Sequence, residues 1–478
     1  MSQDIPEKIN QKKAEFELAS GPEKYSTGLA LADLMITSNE NESAMEVLLE
    51  ILPLCSASGQ EGPVLRRMGE VSFRRSEFQA ALDYLGRAEA ALAESGDYRE
   101  RFYIQRNYVW IYARQGHYHQ AEECCRRAEE VMSHMTAGEK VMSHMTAGEK
   151  EAELIRADLL HLKALLAGAQ GDRERAMTFY QQEIELLGRL QEHGNLAPAY
   201  INLGNIYYSQ GRIVDCLDCQ LRAKEILEYA DNRFTLSVVY NNIAELYWYL
   251  GDYQRSQEYY EYHDDLTKLS NNLLDNIMSQ AGLARVFRGL GNYPQAEQRF
   301  LGAIRMAEEI DSRAKKAILM SELADLYAEW GRERESEEYR RLSQEETMNT
   351  YGYRIPRLDL VEAKLLLLES RSGHPAKKSG LLERATKILQ ALLTGPMKIP
   401  SEEVVPGTEI VMEAQYLLAK AYKEMERRDD CRRHLRAALE MIEDFTGRLP
   451  SEFRSTYLER PEVKRVRELM ADTEQWGP

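Results

Sequence analysis

Apolar residues recur at helical spacing through most of the chain. AYINLGNIYYSQ (199–210), VYNNIAELYWYL (239–250) and MSELADLYAEW (320–330) each place them on one side of a helix. Each stretch runs into a small or polar turn and then a second amphipathic stretch: GRIVDCLDCQLRA (211–223), GDYQRSQEYYEYH (251–263) and GRERESEEYRRLS (331–343). GHYHQAEECCRRA (116–128), GDRERAMTFYQQE (171–183) and GNYPQAEQRFLGA (291–303) share the form, and SEFQAALDYLGRA (76–88) is a weaker copy. The leading residues are Ser76, Gly116, Gly171, Gly211, Gly251, Gly291 and Gly331, with gaps of 40, 55, 40, 40, 40 and 40. A period of this length marks stacked supersecondary units, each a pair of antiparallel helices.

Small residues fall where the paired helices must meet. In the first helix they are Gly69, Ala164, Gly204, Ala244, Ala284 and Ala324; in the second, Ala81, Ala121, Ala176, Cys216, Ser256, Ala296 and Ser336. Large residues follow four later in the second helix, at Leu85, Tyr180, Tyr260 and Phe300. Small side chains allow close approach, and larger ones there would overpack. The turn glycines predict left-handed backbone. Pro294 suits the first turn of a helix.

At these residues the sequence resembles the tetratricopeptide repeat (TPR) family, in its forty-residue subtype, which includes Leu-Gly-Asn (LGN/Pins-type) adaptors, kinesin light chains and bacterial Rap-type solenoids. The resemblance implies an all-α fold, a right-handed α-solenoid of about nine or ten antiparallel helix pairs. Residues 1–61 read as a divergent helical pair and cap, with the pair at 25–52. Residues 62–345 read as the solenoid with seven recognisable repeats, and 346–445 as divergent pairs (358–392 and 411–445) with loops at 370–380 and 393–410. Residues 446–478 read as a capping helix and tail.

The 55-residue gap holds an exact duplication, VMSHMTAGEK at 131–140 and again at 141–150. It lies between repeats, where an array absorbs insertions. Thr146-x-x-Glu149 has capping-box form, predicting a helix from about Thr146 through Leu165, with Gly138 as a break in the first copy. Removal of 141–150 is expected to leave the fold intact.

The resemblance also implies that first helices line a concave, partner-binding face. Carried over repeat by repeat, that face holds Arg66, Arg67, Glu70 and Arg74, then Arg106, Asn107, Trp110 and Arg114. Further along it holds Ile201, Asn202, Asn205 and Tyr208, then Asn241, Asn242, Glu245 and Trp248. Arg285 and Arg288 follow, and then Ser321, Glu322, Asp325 and Glu329. Asn107, Asn202 and Asn242 share one frame position, where a carboxamide can pair with the backbone of an extended peptide. The basic sections suggest a partner with acidic stretches.

Composition narrows the classes. Charged residues are 29% and hydrophobic ones 44%, enough to bury a core. A net charge of −17 argues against nucleic-acid binding and against general attraction to anionic membranes. The longest apolar runs are too short for membrane insertion. Six scattered cysteines fit a reducing compartment, and the first residues, MSQDIPEKINQKKAEF, lack an apolar signal region. A cytoplasmic protein is therefore expected.

Candidate chemistry is sparse. Gly289-Leu290-Gly291 lacks the later glycine of a dinucleotide loop, and GHPAKKSG (373–380) lacks the order of a phosphate loop. Cys216-x-x-Cys219 lacks a second ligand pair, and Cys216 sits in the small-residue slot. His117 and His119 fall in a turn. No catalytic residue, metal site or cofactor is expected. The expected function is a non-enzymatic adaptor or scaffold, holding a partner peptide or helix in its groove within a bacterial signalling or assembly complex. The alternative is a ligand- or peptide-responsive sensor that changes superhelical shape. The partner's identity stays open, as does the choice between monomer and homodimer.

Overall fold

The computed structural model describes residues 5–55, 60–93, 95–134, 147–229, 233–270, 273–372, 375–399 and 407–474. They form two compact units, residues 1–231 and 232–478. The first contains α1 (Ile5–Leu18), α2 (Gly21–Thr37), α3 (Asn41–Ile51), α4 (Glu61–Arg74), α5 (Phe78–Ala91), α6 (Tyr98–Arg114), α7 (Tyr118–Ser133), α8 (Ala147–Ala169), α9 (Arg173–Leu190), α10 (His193–Ser209) and α11 (Ile213–Tyr229). The second contains α12 (Arg233–Tyr249), α13 (Tyr253–Ser270), α14 (Leu273–Gly289), α15 (Tyr293–Glu309), α16 (Arg313–Trp330), α17 (Glu333–Tyr351), α18 (Pro356–Ser372), α19 (Pro375–Thr394), α20 (Gly407–Glu424), α21 (Arg428–Gly447), α22 (Ser451–Leu458) and α23 (Pro461–Glu474). Among the described residues there is no strand. Consecutive helices pair from α2–α3 through α20–α21, the all-α repeat fold that the period implies.

The frame residues do what their sizes demand. Ala81, Ala121, Ala176, Ala244, Ala284, Ala296 and Ala324 are completely buried where helices touch. Where serine takes the slot, its hydroxyl is satisfied across the pair. Ser256 Oγ donates to the Ala244 carbonyl and Ser336 Oγ to that of Ala324, both at 2.7 Å. Cys216 and Cys219 are buried as well, and burial pushes both thiols up to about 12, which suppresses the reactive thiolate. All six predicted turn glycines have positive φ, between +71° and +84°, and Ser76 holds the same left-handed conformation in the seventh turn.

The closest fit is at Gly282 on α14. A Cβ there would lie 2.1 Å from the ring of the buried Tyr260 on α13. Gly282→Ala should therefore destabilise the second unit by about 1–3 kcal/mol, as measured by denaturant unfolding. An unchanged midpoint would show that Tyr260 can move aside.

Three boundaries differ from expectation, the first being the loop expected at 393–410, of which 407–410 are the first turn of α20. Residues 375–380 form the first turns of α19 rather than a loop, because Pro375 sits at the helix start, where its missing N–H costs nothing. The helix predicted for 146–165 is α8, which continues to Ala169. Thr146 and Gly138 lie outside the described residues.

Candidate functional site in the second unit

The first helices of successive pairs in the second unit carry a ladder of opposite charges. On α14, Arg285 grips Glu322 of α16 with two bonds, Nε at 2.9 Å and Nη2 at 3.0 Å. One turn on, Arg288 spans Asp325 (2.7 Å) and Glu329 (2.8 Å) of α16. Asp325 then meets Lys364 of α18 at 2.7 Å, with Arg357 3.5 Å away. Lys364 also lies 3.1 Å from Glu413 of α20. Helical spacing of three and four residues puts these groups on one face, and the forty-residue period sets the faces side by side.

Burial and partner charge compete at each carboxylate. Burial alone would raise Asp325, but Arg288, Lys364 and Arg357 hold it far below the usual carboxylate range. Glu329 is likewise raised by burial and lowered more by Arg288 and Lys364, to about 2. At Glu245 on α12 burial prevails and its carboxyl lies above its ordinary value.

The segment after α21 completes this face. It does not only cap the last pair: α22 reaches back to the turn between α12 and α13. Thr456 Oγ1 donates to the Leu250 carbonyl (2.9 Å), and Arg460 Nη1 donates to that of Tyr249 (2.8 Å). Arg460 is 1% exposed. It pairs with Glu409 of α20 at 2.5 Å and with Glu462, and its guanidinium lies against the rings of Trp248, Tyr249 and Tyr457. Gly251 records the contact. Its Cβ would lie 2.5 Å from the Thr456 carbonyl oxygen, whereas the same construction at Gly291 or Gly331 meets nothing within 4 Å. On α23, Arg465 lies 3.5 Å from Glu329 and 3.8 Å from Glu413, with its guanidinium against the Tyr416 ring. The Nε atoms of Arg460 and Arg465 are buried without a hydrogen-bond partner, and each such group costs about 1–3 kcal/mol.

These elements enclose a cavity of about 480 Å³. Its charged lining is Arg285, Arg288, Arg357, Lys364 and Arg465 against Glu322, Asp325, Glu329, Glu409, Glu413 and Glu462. Trp248, Tyr253, Leu290, Tyr293, Leu360, Ile410, Met412 and Pro461 supply the apolar surface. A concave, partly apolar space of this size with converging polar groups is the usual form of a ligand site.

The sequence-derived residues divide between the units. In the second, Arg285, Arg288 and Trp248 line the cavity, along with Glu322, Asp325 and Glu329. Asn241 is buried, with Nδ2 donating to Glu245 at 3.3 Å and Oδ1 unpartnered, while Asn242 is half-buried. Sequence reasoning missed the lining from Tyr253, Tyr293, Arg357, Lys364, Glu409, Glu413, Glu462 and Arg465. Continuing the forty-residue frame past residue 345 would have found Lys364 beside Asp325.

In the first unit, most of the predicted cations are neutralised. Arg66 binds Glu100 (2.5 Å) and Glu70 (3.0 Å); Arg67 binds Asp33 (2.7 Å) and Glu100 (3.1 Å). Arg74 reaches Glu70 and the Ile36 carbonyl, and Arg106 lies between Glu70 and Asp158. Arg114 is exposed, as are Asn205, Trp110 (39%) and Tyr208 (42%). Asn202 is half-buried; Asn107 is buried, with an unpartnered Nδ2.

Comparison with known proteins agrees with the repeat geometry. Residues 195–261 match the family model for the tetratricopeptide repeat. The apo form of RapI superposes with a TM-score of 0.60 at 13% identity, over 81% of this chain and 99% of that one. A Rap protein complexed with competence and sporulation factor gives 0.49 at 12%, over 82% and 100%. The apo quorum sensor NprR from B. thuringiensis gives 0.45 at 13%, over 88% and 99%. No curated protein matches in sequence. At these identities the likeness concerns the fold. The class is thus an all-α helical-repeat protein, with tetratricopeptide repeats matched at residues 195–261.

Proposed function

We propose that this chain is a non-enzymatic binding protein that receives a short peptide segment of a partner in the groove of its second unit. The carrying observation is the cavity, whose walls offer cations, carboxylates and aromatic surface together. A peptide of mixed charge with an apolar side chain matches such a lining better than a simple anion, which would meet six carboxylates. Half-buried Asn242 on α12 supplies the carboxamide for a peptide backbone in this reading, whereas Asn241 is buried against Glu245. In the first unit, exposed Trp110, Arg114, Asn205 and Tyr208 and half-buried Asn202 are further candidate contact residues, with aromatics suited to anchoring, while Asn107 is buried. The internal pairing of Arg66, Arg74 and Arg106 makes an acidic partner a weaker match there than the sequence suggested.

An adaptor within a signalling or assembly complex is the reading adopted. The ligand-responsive alternative draws support from the C-terminal segment forming one cavity wall. Selection of random heptapeptides on the full chain tests the reading. Selected peptides should lose at least tenfold affinity with Leu290→Glu, which charges an exposed residue of the rim, and a lesser amount with Asn242→Ala. Selection no better than background, or affinity indifferent to both changes, would refute it.

A further inference from the structure

The tail of the second unit behaves in its contacts as a ligand does. It inserts one arginine between aromatic rings and a carboxylate, lays a threonine on a turn carbonyl, and faces the cavity with Glu462 and Arg465. The tail is two short helices: α22 has eight residues and is separated by the break at Arg460-Pro461 from α23, which packs along α21 with Val463 and Val466 buried. On the side nearest the cavity, Arg465 holds Glu329 and Glu413 at 3.5 and 3.8 Å, and its Nε is buried without a hydrogen-bond partner.

We propose that Ser451–Glu474 is a built-in occupant of the surface of Trp248, Tyr249, the Gly251 turn and Glu409 that borders the cavity, which an incoming segment must displace to extend across it. This rests on the proposed peptide-binding role and adds how the site is regulated. The displacing segment is then a helical stretch of a partner protein that carries an arginine beside an aromatic residue and a glutamate, in the manner of Tyr457-x-x-Arg460-Pro461-Glu462. The Trp248–Tyr249 rings and Glu409 select the arginine through cation–π contact and ion pairing. The Gly251 backbone admits the close approach.

The test uses the full chain and needs no outside ligand. Gly251→Ala places a methyl group against Thr456, and Gly331→Ala imposes the same backbone strain (φ +79° at both) with no such contact. Thr456→Val removes the bond to Leu250 without backbone strain. Hydrogen exchange in 451–474 should quicken at least tenfold in Gly251→Ala and in Thr456→Val, with α20 and α21 still protected, and should not change in Gly331→Ala. A labelled peptide of residues 451–468 should then bind both loosened variants saturably and the wild type at least tenfold more weakly. The same peptide with Arg460→Lys should bind poorly. Exchange that quickens across the whole second unit would overturn the proposal, because the tail would then be an inseparable part of the core. A freed tail with no peptide binding would overturn it too. Failure of the heptapeptide selection, by contrast, would leave these exchange rates untouched.

Discussion

Asp325→Ala should cost the second unit about 3–5 kcal/mol of stability, because it leaves Arg288 and Lys364 facing each other across a buried gap. Asp325→Asn keeps the shape but not the charge and should lie between that variant and wild type. Acid should act on the same ladder. Asp325 and Glu329 are held below their unfolded values, so their contribution is complete above about pH 4.5. It is lost as pH falls toward the folded value of Glu329, about 2, and below that for Asp325. Unfolding of the second unit should therefore steepen below about pH 4.5, and less steeply in Asp325→Ala. Glu245 has the opposite sign: its pKa is raised by burial, so its protonation on acidification stabilises the fold and softens the upper part of the curve. Urea midpoints across this range are the measurement. Equal slopes in wild type and Asp325→Ala would show that the ladder does not control acid stability.

Glu100→Ala should be as damaging to the first unit, again about 3–5 kcal/mol. One carboxylate serves two buried guanidiniums, Arg66 and Arg67. Burial pushes Glu100 up, and the two arginines together hold it below its ordinary value. Removing it strands both cations, and Glu70 and Asp33 can answer only part of the loss. The companion change Arg66→Met with Glu100→Leu should recover much of the stability, since apolar replacement of a buried pair is often neutral or better. A drop under 1 kcal/mol for Glu100→Ala would mean that water reaches the arginines.

The repeat frame was legible because each requirement rests on one residue type at one spacing: left-handed turns at Gly116 through Gly331, and small residues at the helix contacts. The ion-pair ladders were hidden because their bonds join residues on different helix pairs, such as Arg66 and Glu100 (34 apart) or Arg288 and Glu329 (41 apart), whose helix faces are known only once the pairs are stacked. Arg66 thus read as a free groove cation, while Glu100 sat unremarked in the first turn of α6, bonded to its cap Asp97. The tail was the least legible element. Thr456 and Arg460 belong to no repeat, and each donates to a backbone carbonyl, of Leu250 and Tyr249, which carries no side-chain signature.

The reach of that tail sets an order of events during synthesis. The bond from Asp325 to Lys364 closes over 39 residues and that from Arg288 to Glu329 over 41, whereas Thr456 meets Leu250 across 206. At a synthesis rate of roughly 5–20 residues per second, the α12–α13 turn is made on the order of 10–40 s before the segment that covers it. Contacts of long sequence separation also form late in the folding of a finished chain. Every nascent copy thus passes through an interval in which Trp248 and the Gly251 turn stand uncovered, and a partner met at the ribosome would find no competitor in place.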